Sequence, residues 1–259
     1  MANANYDIVA HCASLRAEKT LKRIYELTVG YGDAEAAVWL ENGEEKRITY
    51  AQYAEMTRSY AAFLRTTLGE ERSGRYVAIS MDTCKEWFPT YWGLIQAGYN
   101  VLLLDASLSD EMTLYMLRQA GVVGIVSPKA RKLADDIHQV SAQALFAAPA
   151  APQGFEPRYA DSTAICTSGT TSTSRIFVYN GAAIAEQVLS SELVFRAQRR
   201  VVDDRPMRSL AFLPFHHVLG FMACLMWSCF AGYANVFLKD RAPQTIMDTC
   251  QKCGVEFLV

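Results

Sequence analysis

Nine consecutive residues, Thr167-Ser168-Gly169-Thr170-Thr171-Ser172-Thr173-Ser174-Arg175, bring together hydroxyls, backbone N–H donors, one glycine and a terminal cation. Such a bend suits the oxygens of a polyphosphate, because the donors are many and the glycine lets a ligand come close to the backbone. The stretch lacks the GK[ST] ending of a Walker loop, and no helix follows it directly. A Ser/Thr-rich surface linker is the competing reading of the same composition. A second stretch, Leu213-Pro214-Phe215-His216-His217-Val218-Leu219-Gly220, sets two imidazoles side by side in an apolar run. Imidazole can offer either charge state to a reacting carboxylate or phosphate. Two histidines that merely open a buried helix are the alternative there.

The first stretch resembles the phosphate-binding loop of the adenylate-forming superfamily, whose pattern is TSGTTGxPK. That superfamily takes in acyl-CoA synthetases, the adenylation domains of peptide synthetases and beetle luciferases. TSGTT is matched in full, whereas Ser172 replaces the usual Gly, Ser174 the usual Pro and Arg175 the usual Lys. Arginine keeps the charge and changes the shape of the donor group. The second stretch is similar to the family's LPFFHxxG segment and to the PFHH form of luciferases. Weaker likenesses lie at RITYAQY (47–53), similar to LTYxEL, and GLIQAGYNVLLLD (93–105), similar to LKAGxxYVPLD without its Pro.

The resemblance implies a carboxylate-activating enzyme that uses ATP and Mg2+ to form an acyl-adenylate. Transfer to CoA or a carrier-protein thiol would follow. It implies that Thr167, Ser168, Gly169, Thr170, Thr171, Ser172 and Arg175 hold the phosphates. His217 is expected beside the carboxylate as the catalytic residue, with His216 and Gly220 shaping the acid's site. A non-catalytic nucleotide-binding or regulatory module of the same family is the alternative, and the changes at Ser174 and Arg175 favour it. The resemblance further places the Mg2+-binding Glu, the ribose-binding Asp and the small C-terminal domain with its catalytic Lys after Val259. With GVEFLV ending the chain without turn or cap, the sequence is expected to be an inactive N-terminal fragment of the parent.

The elements that must position these stretches follow from local rules. AAVWL, Asn42-Gly43 and RITY predict a hairpin with a type I′ turn. Thr49 and Gln52 have capping-box spacing and open a helix with Tyr53, Met56, Tyr60, Phe63 and Leu64 on one face, closed by Gly69. YVAIS (76–80), NVLLLD (100–105) and VVGIV (122–126) read as apolar strands. The helix between the first two is expected to be capped by Thr83 and Glu86 and kinked at Pro89, and Ser109 is expected to cap the next. Apolar strands alternating with amphipathic helices predict an α/β fold with layered parallel sheets flanked by helices. Residues 71–205 are expected to form one subdomain, with 1–70 and 206–259 forming part of a second. The Ala/Pro-rich stretch 146–157 reads as an exposed connection.

Composition excludes several classes. The chain has 259 residues, 51% hydrophobic and 20% charged, enough to bury a substantial core. A net charge of -2 gives no global field for nucleic acid or an anionic membrane. The cluster Arg196, Arg199 and Arg200 reads as the solvated end of a helix, and Asp203-Asp204 as a solvated turn. The N-terminal stretch has no basic region followed by an apolar run, so no signal peptide is expected. Seven cysteines point to a reducing compartment, the cytoplasm. Leu210–Leu238 carries no charge, yet Pro214, Gly220 and Gly232 break it into loop, helix, turn and strand, against a membrane span. Cys250 and Cys253 have zinc-ligand spacing, which is also one helical turn. Trp87, Trp92 and Trp227 are expected in the core.

Overall fold

The computed structural model describes residues 7–167, 175–197 and 205–258. Two helices come first, α1 (Ile8–Ala17) and α2 (Leu21–Val29). The hairpin of β1 (Glu35–Glu41) and β2 (Glu44–Thr49) follows, and its turn residues Asn42 and Gly43 take φ of 53° and 83°. A type I′ turn needs positive φ at both positions, and Asn-Gly accepts it at least cost. Helix α3 (Tyr50–Leu68) opens on the full capping box: Gln52 N–H donates to Thr49 Oγ1 at 3.2 Å, and Thr49 N–H to Gln52 Oε1 at 2.9 Å.

Strands and helices then alternate: β3 (Tyr76–Ile79), α4 (Trp87–Ala97), β4 (Asn100–Leu103), α5 (Asp110–Gln119), β5 (Val122–Ser127), β6 (His138–Ser141) and α6 (Ala142–Phe146). After a long connection come β7 (Ser162–Thr167), β8 (Arg175–Asn180) and α7 (Gly181–Ala197). The last part holds β9 (Arg208–Leu210), a π-helical stretch (Gly220–Trp227) running into α8 (Ser228–Phe230), β10 (Ala234–Phe237), α9 (Pro243–Lys252) and β11 (Phe257–Leu258).

The fold is α/β, as expected. One sheet has the order β6-β5-β3-β4-β7-β8 and the other β11-β9-β10-β1-β2. Neither sheet is wholly parallel. β2 and β8 each pair antiparallel to the preceding strand and form an edge. On the β8 edge Phe177 and Val178 are exposed. Apolar residues alone could not distinguish this strand from a buried parallel one.

Three local expectations are corrected. Helix α4 starts later than expected, at Trp87 with Glu86 in the N-cap position and no side-chain cap, and the Thr83 hydroxyl accepts a hydrogen bond from the distant Phe215 N–H at 3.1 Å. Pro89 falls in the first turn of α4, where its missing N–H is not needed and its ring meets no preceding turn, so it has no cause to kink the helix. The Ala/Pro-rich connection is not fully exposed. Phe155 is buried beneath the guanidinium groups of Arg58 and Arg65, 5.4 and 4.4 Å from its ring centre.

Every residue of α4 is buried. Its approach to α3 depends on Gly93, where a Cβ would stand 2.9 Å from Tyr60 Cβ. Phe88 stacks on Tyr53 with ring centres 4.6 Å apart, Trp87 and Trp92 are buried, and Trp227 packs half-buried against the same core. One apolar cluster runs through both sheets, joining Ala37 on β1 and Phe237 on β10 to Val77, Leu103 and Ile165 on β3, β4 and β7. The segment Leu210–Leu238 resolves into strand, loop, buried helix and strand. Among the described residues no helix is long and apolar enough to cross a membrane.

Candidate functional site

Ligands of parallel sheets gather outside the carboxyl ends of strands. Here the β3–α4 loop supplies Asp82 and Thr83, and the β4–α5 loop supplies Asp105 and Ser107. From the other sheet, Lys239 and Arg241 follow β10, and the paired histidines follow β9. Together these residues line a cleft of about 580 Å³.

The histidine segment is held in place by its own backbone and by β3. Thr83 fixes the Phe215 N–H, and the Phe215 ring meets Trp87 edge-on at 5.8 Å. The Pro214 carbonyl accepts from His217 N–H at 3.1 Å, and the His217 carbonyl accepts from Phe221 N–H at 2.8 Å. Gly220 presses on the same place: a Cβ there would stand 2.1 Å from the Pro214 oxygen. Gly220 therefore acts on the site through close backbone packing.

The two imidazole rings lie 4.3 Å apart, and His216 Nε2 is 3.7 Å from Asp105 Oδ2. That separation is an ion-pair distance and too long for a hydrogen bond. His216 Nε2 is buried and has no hydrogen-bond partner among the described residues. Burial lowers the His216 pKa below 6.5; His217 and Arg241 act the same way, while Asp105 and Asp82 oppose them. Burial would raise Asp105, but the Ser107 N–H and hydroxyl, both 2.8 Å from its Oδ1, and the two imidazoles hold its carboxyl below the usual value. An ionised carboxylate thus faces an imidazole that burial favours in its neutral form, and whose Nε2 makes no hydrogen bond among the described residues.

A pH dependence follows. The unfolded chain takes up a proton on His216 near 6.5, and the folded chain resists it, so this residue costs stability as pH falls below 6.5 and nothing above it. Burial lowers His11 in the same way. In His216→Gln the loss of urea midpoint between about pH 7.5 and about pH 5.5 is expected to be smaller than in the unaltered chain.

The hydroxyl-rich bend springs from β7, which pairs parallel with β4 in the register Leu103↔Ile165. Two residues further along the chain from this pair stand Asp105, just past β4, and Thr167, at the end of β7. Thr167 in turn pairs with Arg175, where the bend returns. Residues 168–174 lie outside the described residues, so Ser168, Gly169, Thr170, Thr171 and Ser172 carry no structural account, nor does the side chain of Thr167. Asp203, Asp204, Arg199 and Arg200 also lie outside them, as does the side chain of Arg196. Between the start of the bend and the histidines opens an apolar cavity of about 370 Å³. Ile165, Tyr179 and Ile184 line it on one side, and Val218, Leu219 and Met222 on the other.

Reading the sequence overlooked Asp82, Thr83, Asp105, Ser107, Lys239 and Arg241. A signal existed for the two aspartates, which are the first acidic residues after the apolar runs of β3 and β4. Cys250 and Cys253 mark the last turn of α9, and among the described residues no three His, Cys, Asp or Glu converge to hold a metal.

The AMP-binding enzyme family matches residues 26–259. The chain belongs to this family. No curated protein matches the sequence. Among solved structures, this chain is similar to the Klebsiella oxytoca NpsA N-terminal subdomain in complex with 3-hydroxybenzoyl-AMSN. The TM-score is 0.75 at 16% identity over 92% of this chain and 59% of that one. It is also similar to the Bacillus subtilis O-succinylbenzoate coenzyme A synthetase MenE in complex with AMP, with a TM-score of 0.74, 17% identity and coverages of 91% and 60%. The nonribosomal peptide synthetase FmoA3 matches at a TM-score of 0.73 and 19% identity, over 91% of this chain and 25% of that one. At these identities the likeness is one of fold, and this chain spans at most about three fifths of the length of these structures.

Proposed function

We propose that the chain is the front part of an enzyme that activates a carboxylic acid with ATP. The acid's oxygen attacks the α-phosphorus, pyrophosphate leaves, and the acyl group then passes from AMP to a thiol of CoA or a carrier protein. The observation that carries this reading is that one apolar cavity borders both β7, just before the hydroxyl-rich bend, and the segment beside His217. Reaction in such a site gains from holding the two reactants in line and from donors fixed where charge develops.

In this reading Thr167, Ser168, Gly169, Thr170, Thr171, Ser172 and Arg175 hold the β- and γ-phosphates. His217 stands next to the carboxylate, His216 beside it can accept or hold a proton at Nε2, and Gly220 keeps both in register. The apolar cavity takes the hydrocarbon part of the acid, fatty or aromatic. Residues 71–205 form the phosphate-binding subdomain, and 1–70 with 206–259 part of a second. Mg2+ would neutralise the phosphates when bound, and among the described residues no three His, Cys, Asp or Glu converge to hold it. That none of the seven cysteines is in a disulfide fits a cytoplasmic parent. Turnover belongs to the parent, and this fragment alone binds without completing the reaction.

Val218 is half exposed at the cavity wall, so a larger side chain can be placed there without disturbing the core. Val218→Trp in the parent is expected to raise the KM for the acid about tenfold and leave ATP binding unchanged, measured by initial rates.

The deciding measurement is carboxylate-dependent ATP–pyrophosphate exchange by the full-length parent. Exchange with at least one acid supports the proposal. ATP binding with no exchange for any acid would instead indicate the non-catalytic nucleotide-binding module that the changes at Ser174 and Arg175 fit.

A further inference from the structure

The loop bearing Asp105 is held from within by a short turn, in which Ser107 donates to the Asp105 carboxylate and Leu108 N–H to Asp105 O at 3.4 Å. Its last strand-like bond is Leu104 N–H to Ile79 O at 3.0 Å, and residues 105–109 belong to no regular element. A brace comes from elsewhere. Arg131, on the irregular connection between β5 and β6, extends its guanidinium beneath this loop with its side chain only 7% exposed. Nη2 donates to Ala106 O at 2.8 Å and to Ser80 Oγ at 3.1 Å, just past the end of β3. Nη1 donates to Leu108 O at 2.9 Å and Thr113 Oγ1 at 3.1 Å, and lies 3.5 Å from Asp110 Oδ1.

The two gripped carbonyls flank Ser107, the residue whose N–H and hydroxyl orient the Asp105 carboxylate. The brace is itself anchored: Gln139 on β6 accepts from Arg131 N–H at 2.9 Å and donates to Arg131 O at 3.0 Å. A buried charge with this many partners is expensive to disturb, because each acceptor left behind loses a charge-assisted bond. Lysine could meet only part of the set, since its ammonium is a point donor and lacks the planar fork.

We propose that Arg131 is a positioning residue for the candidate site: it fixes the β4–α5 loop so that Asp105 faces His216. The importance of that pair for turnover rests on the function proposed above, but the positioning can be tested without any substrate. The chain has four histidines, His11, His138, His216 and His217, so each imidazole can be assigned by one His→Gln variant and titrated by side-chain NMR in the full 259-residue chain. The groups that set the His216 titration are Asp105, Asp82, His217 and Arg241, together with burial.

Asp105→Asn removes a charge that raises His216, so its titration is expected to move down. Arg131→Met is expected to move it in the same direction by at least half as much and to leave His11 unmoved; Arg131→Lys should fall between. Two results overturn the inference: a His216 unmoved by Arg131→Met although Asp105→Asn shifts it, or an Arg131→Met shift shared by His11, which would mark general loosening. A His216 unmoved by Asp105→Asn removes the pair itself. If Arg131→Met does not fold, Arg131→Lys carries the test: no shift, or a shift shared with His11, overturns the inference. Failure of pyrophosphate exchange in the parent would remove the proposed function and leave these titrations unaffected.

Discussion

Replacing Thr170 and Thr171 together by alanine in the full-length parent is expected to lower carboxylate-dependent pyrophosphate exchange by at least about 100-fold and to weaken ATP binding. Removal of one preorganised donor to a developing oxyanion costs about 2.7–4 kcal/mol in well-studied enzymes, and this change removes two hydroxyls. Initial exchange rates and an ATP titration check it. Binding indifferent to the double change would show that the bend is a linker and remove the assignment.

The second large effect is structural. A methyl group at Gly220 has nowhere to go, because its carbon would stand 2.1 Å from the Pro214 carbonyl oxygen and 2.7 Å from the carbonyl carbon, both backbone atoms that no rotamer change can move. Overpacking of this kind costs about 1–3 kcal/mol. For a chain of this size Gly220→Ala should therefore lower the Tm by about 3–9 °C. The same displacement strains the His217 N–H bond to Pro214, so exchange in the parent should fall as well. An unchanged Tm would mean that the backbone at 213–214 yields freely and that Gly220 is not what sets the histidines.

What could be read from the sequence was set by short-range chemistry. The Asn42-Gly43 turn, the Thr49–Gln52 box, the Ser109 cap and the apolar strands each depend on residues within a few positions, and each formed as expected. Thr83 and Glu86 had the same capping spacing, and there the helix starts later, with no side-chain cap. The Thr83 hydroxyl serves the Phe215 N–H, which no window of sequence could reveal. Phe155 looked exposed in an Ala/Pro run, since the two arginines that cover it come from a helix far earlier in the chain.

The candidate site divides in the same way. Its histidines and hydroxyl-rich bend were recognisable because their types are unusual in a row. Asp105 read as the end of an apolar strand, and only the approach of the second sheet shows it facing His216. The antiparallel turn of β8 was equally hidden, because Ile176-Phe177-Val178-Tyr179 has the apolar composition of a buried strand although Phe177 and Val178 face outward.

The apolar cluster shared by the two sheets limits how the cleft between their ends can work. Rocking one sheet against the other would pry apart Ala37 and Phe237 from Val77, Leu103 and Ile165, in an interior as densely packed as an organic solid. Packing across the seam therefore opposes closure by hinging of the two sheets. Within the described residues, narrowing of the cleft is left to the loops at its rim, which carry Asp82, Asp105 and Arg241.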